Sequence, residues 1–301
     1  MATVIESVGV VMGGRRRRSS AHALAGAAAR SALDRAGLAA TDIDLLVNAG
    51  LYHDRNLGEP ALAALIQEDI GANPEDPHVG GHGTFSFDVA NGSCGMLTGL
   101  QVVDGFLRAG TIRHALVVAS DANPGHRLAP GFPFPAAGAA IVCGWRPGAD
   151  GLQGFRFGSP PDGDGGDGGV RGVGDGLRAT VGSAPGHNRL TIDEDPAFAR
   201  SAGVWAGEVA NKLLADHGLT PADIDVVVAN PLVPEFREAL ATRLGVSPDH
   251  FSGRSDGPPV HTAGLAVALE AARPGTEPDG RMLLLVSAGA GLIAGAALLR
   301  G

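Results

Sequence analysis

Lysine is all but missing from this chain. Lys212 is the only one, and arginine supplies the rest of the 23 basic residues. With the heavy Ala, Gly and Pro load, that bias speaks of a GC-rich genome and carries no functional meaning. Basic charge is also short overall: the formal net charge is −9. That balance leaves no broad basic face and argues against nucleic acid as the main partner. Aromatic residues are scarce at 4%, with one tyrosine and two tryptophans, so buried surface has to come from closely packed small side chains. The only two cysteines, Cys94 and Cys143, sit among small or apolar residues. They make no disulfide framework, which points to a reducing, cytoplasmic setting. A secretory leader is not expected either, because the apolar "VIESVGVVM" precedes the basic "RRRR", the reverse of signal-peptide order. One charge-free run, "MLLLVSAGAGLIAGAALL" (282–299), has the length of a membrane span. Its three glycines predict two short buried strands joined by a Gly turn instead.

What is present is a repeat. The stretch "ALDRAGLAATDIDLLVNA" (32–49) parallels "LLADHGLTPADIDVVVAN" (213–230): helix, Gly stop, short loop, an "xDID" turn and a β-branched strand. "GLQVVDGFLRAG" (99–110) parallels "GLAVALEAARPG" (264–275), a helix between glycines. "HALVVASDA" (114–122) parallels "RMLLLVSAG" (281–289), an apolar strand. Three pairs in the same order at similar offsets imply two halves of one architecture, residues 1–150 and 185–301, joined by a Gly/Asp-rich loop or linker over 151–184. Helices alternating with continuous apolar strands predict mostly parallel sheets covered on both faces. The acidic linker lacks the regular spacing of a Ca²⁺ loop. His78 and His82 in "HVGGHG" have metal-like spacing but no further ligands nearby, so no metal site is expected.

Two similar halves pack about a pseudo-two-fold axis, so the loops before the two buried helices face each other. "NGSCG" (91–95) belongs to the first loop and "GPPVHTAG" (257–264) to the second. The repeat alone therefore brings Ser93 and Cys94 near His261.

At these residues the chain resembles the thiolase superfamily, and within it the β-ketoacyl-ACP synthase III branch. The resemblance rests on "FDVANGSCGMLTGLQVVDGFLRAGTIRHALVVASD", on "SALDRAGLAATDIDLLVNAG", on "LTPADIDVVVANPLVPEFREALATRLGV" and on the closing "SAGAGLIAGAALLR". It covers nearly the whole chain. It implies an α/β thiolase-like fold: two duplicated halves in α-β-α-β-α layers about a pseudo-two-fold axis. It also implies acyl transfer from acyl-CoA or an acyl carrier protein, with no covalently bound cofactor, and a dimer.

The family pattern is not retained intact. Gly95 fixes the register, so the nucleophile position is Ser93, with Cys94 the alternative nucleophile. Leu232 stands where the family places its catalytic His, within "PLVPEFR" (231–237). Pro259 stands where it places its Asn, with His261 two residues on. His261 is the expected general base, with Asp256 or Glu235 as a third member. The amides of Ser93 and Ala290 are the expected oxyanion hole, at a helix N-terminus that favours negative charge. Arg15, Arg16, Arg17 and Arg18 in "GGRRRRSS" are the expected contacts for the phosphates of coenzyme A or for a carrier protein. Arg237 and Arg243 match basic positions through which the family meets carrier proteins. Ser20 is the expected cap of the first helix.

Without the His and Asn, carbon–carbon condensation is not expected. Transfer to a hydroxyl or amine needs only a nucleophile, a base and an oxyanion hole. The expected function is a ketosynthase III-like acyltransferase of specialised metabolism working through Ser93. The alternatives are a catalytically inactive subunit paired with an intact ketosynthase, and a thioesterase in which water is the acceptor.

Overall fold

Strands that are apolar at every position must bury both faces, and here each strand splits its residues between two cores. A computed structural model of the chain describes residues 1–14, 20–56, 59–73, 83–148, 150–160, 177–184, 187–194, 196–253, 259–272, 280–289 and 292–301. The first half runs β1 (Ala2–Met12), α1 (Ala21–Ala36), β2 (Leu45–Asn48), α2 (Leu62–Ile70), β3 (Phe85–Asp88), α3 (Gly95–Arg108), β4 (His114–Asp121) and β5 (Ala137–Arg146). The second runs β6 (Gly151–Gly158), β7 (Leu177–Ala184), β8 (His187–Glu194), α4 (Phe198–Asp216), β9 (Val226–Asn230), α5 (Pro234–Leu244), α6 (Gly264–Ala272), β10 (Met282–Ala288) and β11 (Ala294–Arg300). In β4, Ala115, Val117 and Ala119 face the inner core, while Leu116 and Val118 face the outer one. In β10, Leu283 and Leu285 face inward and Leu284 and Val286 outward. Side-chain alternation with period two produces this division.

The inner core is filled by α3 and α6, sandwiched between the two sheets. Leu97, Leu100 and Val103 meet Leu265 and Leu269 there. Helices α1 and α2 cover the outer face of the first sheet, and α4 and α5 cover that of the second. Five layers result. The strand orders are β1-β5-β4-β2-β3 and β6-β11-β10-β9, and a single bridge from Val227 to Phe251 stands where the first half has β3.

The repeated turns do the same work twice. Asp42 accepts a hydrogen bond from the Ala39 amide and Asp223 from the Thr220 amide, each 2.8 Å. Asp44 and Asp225 then accept from the amides of His114 (3.1 Å) and Met282 (2.7 Å), tying each turn to the start of the strand that pairs with the one it leads into, β4 with β2 and β10 with β9. Ser20 caps α1, its Oγ accepting from the Ala23 amide at 3.3 Å.

Two expectations change. The sheets are mixed rather than mostly parallel: β2 pairs in parallel with β3 and β4, and β10 with β9, while the other pairings within the two sheets are antiparallel. The last strand of each half reverses direct from its neighbour, and a reversal without a crossover gives an antiparallel pair. The segment read as linker also begins with a strand. β6 pairs with β11 as an edge of the second sheet, and Leu177–Ala184 forms a hairpin with β8. The residues between, 161–176, lie outside the described residues. The 282–299 run is the β10–β11 pair, and among the described residues no helix is long and apolar enough to cross a membrane.

With so few rings, close approach of backbones replaces bulk. Ala25, Ala28, Ala29 and Ala32 of α1 are fully buried. A Cβ on Gly9 of β1 would lie 2.5 Å from the Ala28 carbonyl oxygen and 2.7 Å from the Ala32 nitrogen. Both are backbone atoms and cannot turn aside. Gly9→Ala is therefore expected to force α1 off the sheet at a cost of about 1–3 kcal/mol, read as a lower urea midpoint with an unchanged slope.

Candidate functional site

The inward rows of β4, β9 and β10 end in polar residues: Asp121 closes β4, Asn230 closes β9 and Ser287 lies beside Asn230 in register on β10. Carboxyl ends of strands are where open α/β sheets bind ligands. Above them stand the starts of α3 and α6, carrying Ser93 and His261.

Ser93 lies on the single 3₁₀ turn Gly92–Cys94 that leads into α3. Gly92 has φ 49°, a left-handed conformation that suits glycine. Ser93 is buried, with 5% exposure. The loop after β10 presses on this turn: a Cβ at Gly289 would lie 3.6 Å from the amide nitrogens of both Ser93 and Cys94. Ala290, expected to supply the second oxyanion donor, lies outside the described residues, as do Arg15, Arg16, Arg17, Arg18, His78, His82 and Asp256.

His261 precedes α6 and is 4% exposed. Its Nδ1 lies 3.1 Å from Oδ2 of Asp121. That carboxylate also accepts from the Thr262 amide (2.9 Å) and the Thr262 hydroxyl (2.6 Å). Its Oδ1 accepts from the amides of Leu51 (3.1 Å) and Tyr52 (2.8 Å). An acceptor ringed by donors fixes the tautomer of the neutral ring: its proton sits on Nδ1 and its lone pair on Nε2. Nε2 is buried without a hydrogen-bond partner among the described residues. The ring is held from the side by Phe134, stacked at 4.5 Å, and by Tyr52 at 5.1 Å.

Burial alone would raise the Asp121 carboxyl. The charge of His261 and hydrogen bonds from His261, Thr262 and Tyr52 outweigh it and lower the group from 3.8 to about 2. Tyr52 moves up, through burial and the Asp121 charge. Burial pushes the Cys94 thiol up to about 12. Cys94 is fully buried on the helix side of the turn, its Sγ 3.5 Å from the Ile293 carbonyl. A protonated, enclosed thiol is a poor nucleophile.

Asn230 joins the two loops. Its Nδ2 donates to the carbonyl of Ser93 (3.0 Å) and to that of His261 (3.1 Å). The sequence reading missed both Asn230 and Asp121. The partner expected for His261 was Asp256 or Glu235, but Glu235 is exposed in the first turn of α5, and the carboxylate comes from the opposite half. The available signal was the position of Asp121 and Asn230 at the ends of apolar strands, where a polar residue has to find a partner. Leu232 is buried in the inner core and Pro259 is half-buried, so the two expected family positions carry no polar group.

The rim arginines are engaged within the chain. Arg237 donates to the carbonyls of Gly253 (3.3 Å), Phe251 (3.2 Å) and Pro248, and its guanidinium lies over the Phe251 ring. Arg243 pairs with Glu208. Among the described residues no cluster of ligating side chains fits a metal ion.

Comparison with known proteins identifies the family. The family model for the C-terminal part of 3-oxoacyl-[acyl-carrier-protein] synthase III matches residues 214–301. The β-ketoacyl-[acyl-carrier-protein] synthase III of Rhodospirillum rubrum is 30% identical over 295 residues, spanning 92% of this chain and 83% of that protein. The chain belongs to the β-ketoacyl-[acyl-carrier-protein] synthase III family. That of Acidiphilium cryptum is likewise 30% identical, over 95% of this chain and 87% of its own. Among solved structures, the priming β-ketosynthase of the R1128 polyketide pathway superposes with a TM-score of 0.80 at 22% identity, covering 99% of this chain and 96% of its own. The synthase III of Aquifex aeolicus gives 0.79 at 18% identity, covering 99% and 100%. These structures establish the thiolase-like fold of this family member.

Because the folded Asp121 carboxyl sits below its unfolded value, its contribution is complete above pH 4 and fades as pH falls toward 2. The loss is about 2 kcal/mol, from a shift between 3.8 and about 2. Urea unfolding at pH 7 and pH 2.5 is expected to show this loss. Asp121→Asn, which turns a donor toward other donors, is expected to lower stability by about 3 kcal/mol at pH 7 and to flatten the acid dependence.

Proposed function

We propose that this synthase III family member is an acyltransferase in which Ser93 takes an acyl group from a coenzyme A or carrier-protein thioester and passes it to a hydroxyl or amine. The reading rests on one observation: the Nε2 lone pair of His261 is set free by Asp121 and has no partner among the described residues. In the first step His261 removes the Ser93 proton, Oγ bonds to the thioester carbon, and the carbon–sulfur bond breaks. The departing thiolate takes the proton back from His261. In the second step the acceptor loses its proton to His261 and attacks the Ser93 ester. The ester bond breaks, and the proton goes to Oγ. Asp121 stays ionised throughout and orients the imidazole. The donor is a substrate in this scheme, and no resident cofactor is required.

Condensation would need donors for the enolate left by decarboxylation. Leu232 and Pro259 offer none. Asn230 is an amide close by, but its two N–H hydrogens are taken by the carbonyls of Ser93 and His261. Swapping its oxygen for its nitrogen would set oxygen against two carbonyls, so the orientation is fixed. These features favour transfer over condensation.

Intact-protein mass spectrometry with a panel of acyl-CoA and acyl-carrier-protein donors tests the reading. A donor-specific mass gain is expected, absent in Ser93→Ala, retained in Cys94→Ala, and formed about 10²–10⁴-fold more slowly in His261→Ala. A gain lost only in Cys94→Ala overturns the serine. No gain with any donor favours an inactive subunit. Release of free acid without acceptor favours a thioesterase.

We further propose that two copies associate through β3. This strand is an outer edge of its sheet, with Phe85 59% exposed and paired with Phe87 at 5.3 Å between centroids. An apolar free edge is a pairing site for a like strand. Phe85→Asp is expected to halve the mass measured by light scattering, and an unchanged mass would reject this surface.

A further inference from the structure

Asn230 is a polar side chain where the apolar pattern of β9 calls for none. Val228 beneath it on the same face is core. Asn230 is fully buried, and no water-facing role explains it. One amide group reaches the backbone on each side of the site, at Ser93 of the first half and His261 of the second. Its Oδ1 is buried and without a hydrogen-bond partner among the described residues. A buried acceptor left unsatisfied costs about 1–3 kcal/mol, and the chain nonetheless keeps it. The neighbouring helix makes room for it. A Cβ at Gly264, the first residue of α6, would collide with that oxygen. The fold thus holds a glycine against the tip of Asn230 and aims its two hydrogens at the two loops.

We propose that Asn230 is the positioning residue that sets the base against the nucleophile, and that Gly264 is the space it requires. Asn230 bonds to the backbone carbonyls of Ser93 and His261 and not to the Ser93 hydroxyl or the His261 ring. It holds the carbonyls of Ser93 and His261, so the turn before α3 and the loop before α6 move as one body. In acyl transfer its effect falls on kcat rather than on KM, because it fixes the approach of Nε2 to the hydroxyl and leaves the donor's contacts alone. This rests on the acyltransfer reading above, and one arm of the test does not.

Two readouts are made on the full chain with Asn230→Ala, Gly264→Ala and the double variant. The first is the single-turnover rate of Ser93 acylation, with the donor that labels the wild type. Asn230→Ala is expected to lose about 100-fold in rate at saturation, with half-saturation within about twofold of wild type. Gly264→Ala keeps the asparagine but displaces it, and is expected to lose a comparable factor. In the double variant the shortened side chain at position 230 leaves room for the new methyl. Its loss should therefore match that of Asn230→Ala alone and not the product of the two. The second readout is the NMR resonance of the His261 Nδ1 proton bonded to Asp121, which needs no donor. It should be sharp in wild type and in Ser93→Ala, and broadened or shifted in Asn230→Ala and Gly264→Ala. Wild-type acylation rates and an unmoved Nδ1 resonance in both single variants would overturn the proposal, as would multiplicative losses. If the wild type accepts no acyl group, acyl transfer fails while the Nδ1 resonance alone decides the role of Asn230.

Discussion

The carboxylate of Asp121 is the point on which the two halves agree. Five hydrogen bonds converge on it, two from amides of the first half and three from His261 and Thr262 of the second. A buried charge is tolerated only when its lone pairs are filled, and here the groups that fill them are the site itself. The same bonds that keep Asp121 ionised position the His261 ring, choose its tautomer and hold the loop of Leu51 and Tyr52 beneath it. Removing the charge would loosen both halves at their meeting point.

Around that anchor a duplicated framework has been put to unequal use. The Asp42–Asp44 and Asp223–Asp225 turns do one job in both halves, and the layers repeat. The strand ends diverge. Asn48 at the end of β2 makes local bonds, donating to Asp88 at 3.0 Å and accepting from the Gly50 amide at 3.0 Å. Asn230, which stands where the first half has Ala49, is on the inward face of β9 and reaches to the loops of both halves instead. The asymmetry ties two similar loops together through one amide, one loop carrying Ser93 and the other His261.

Most of the framework was legible in the sequence because it depends on local pattern. The helix stops at Gly37 and Gly218, the "DID" turns and the paired apolar strands each leave a mark within a few residues. The spacing to Gly95 singled out Ser93, and the pseudo-symmetry singled out His261. Strand direction was not legible, since an apolar run reads the same whichever way its neighbour points. Leu152 and its neighbours in β6 were hidden by the Gly-rich stretch that follows. Asp121 and Asn230 were missed for a different reason. Each explains itself only through a partner far away in the chain, and a polar residue at a strand end looks locally like the start of a loop.

Composition, repeat and motif determined the layered fold and the two loops that precede its buried helices, because hydrophobic period and turn residues act over short distances. Only the tertiary structure set the surroundings of Ser93 and Cys94, both buried, with the Cys94 thiol turned to the Ile293 carbonyl. It likewise supplied the carboxylate for His261 and the amide clip across the halves. Those bonds join strand ends to helix starts from opposite halves, and they exist only once the inner core has closed.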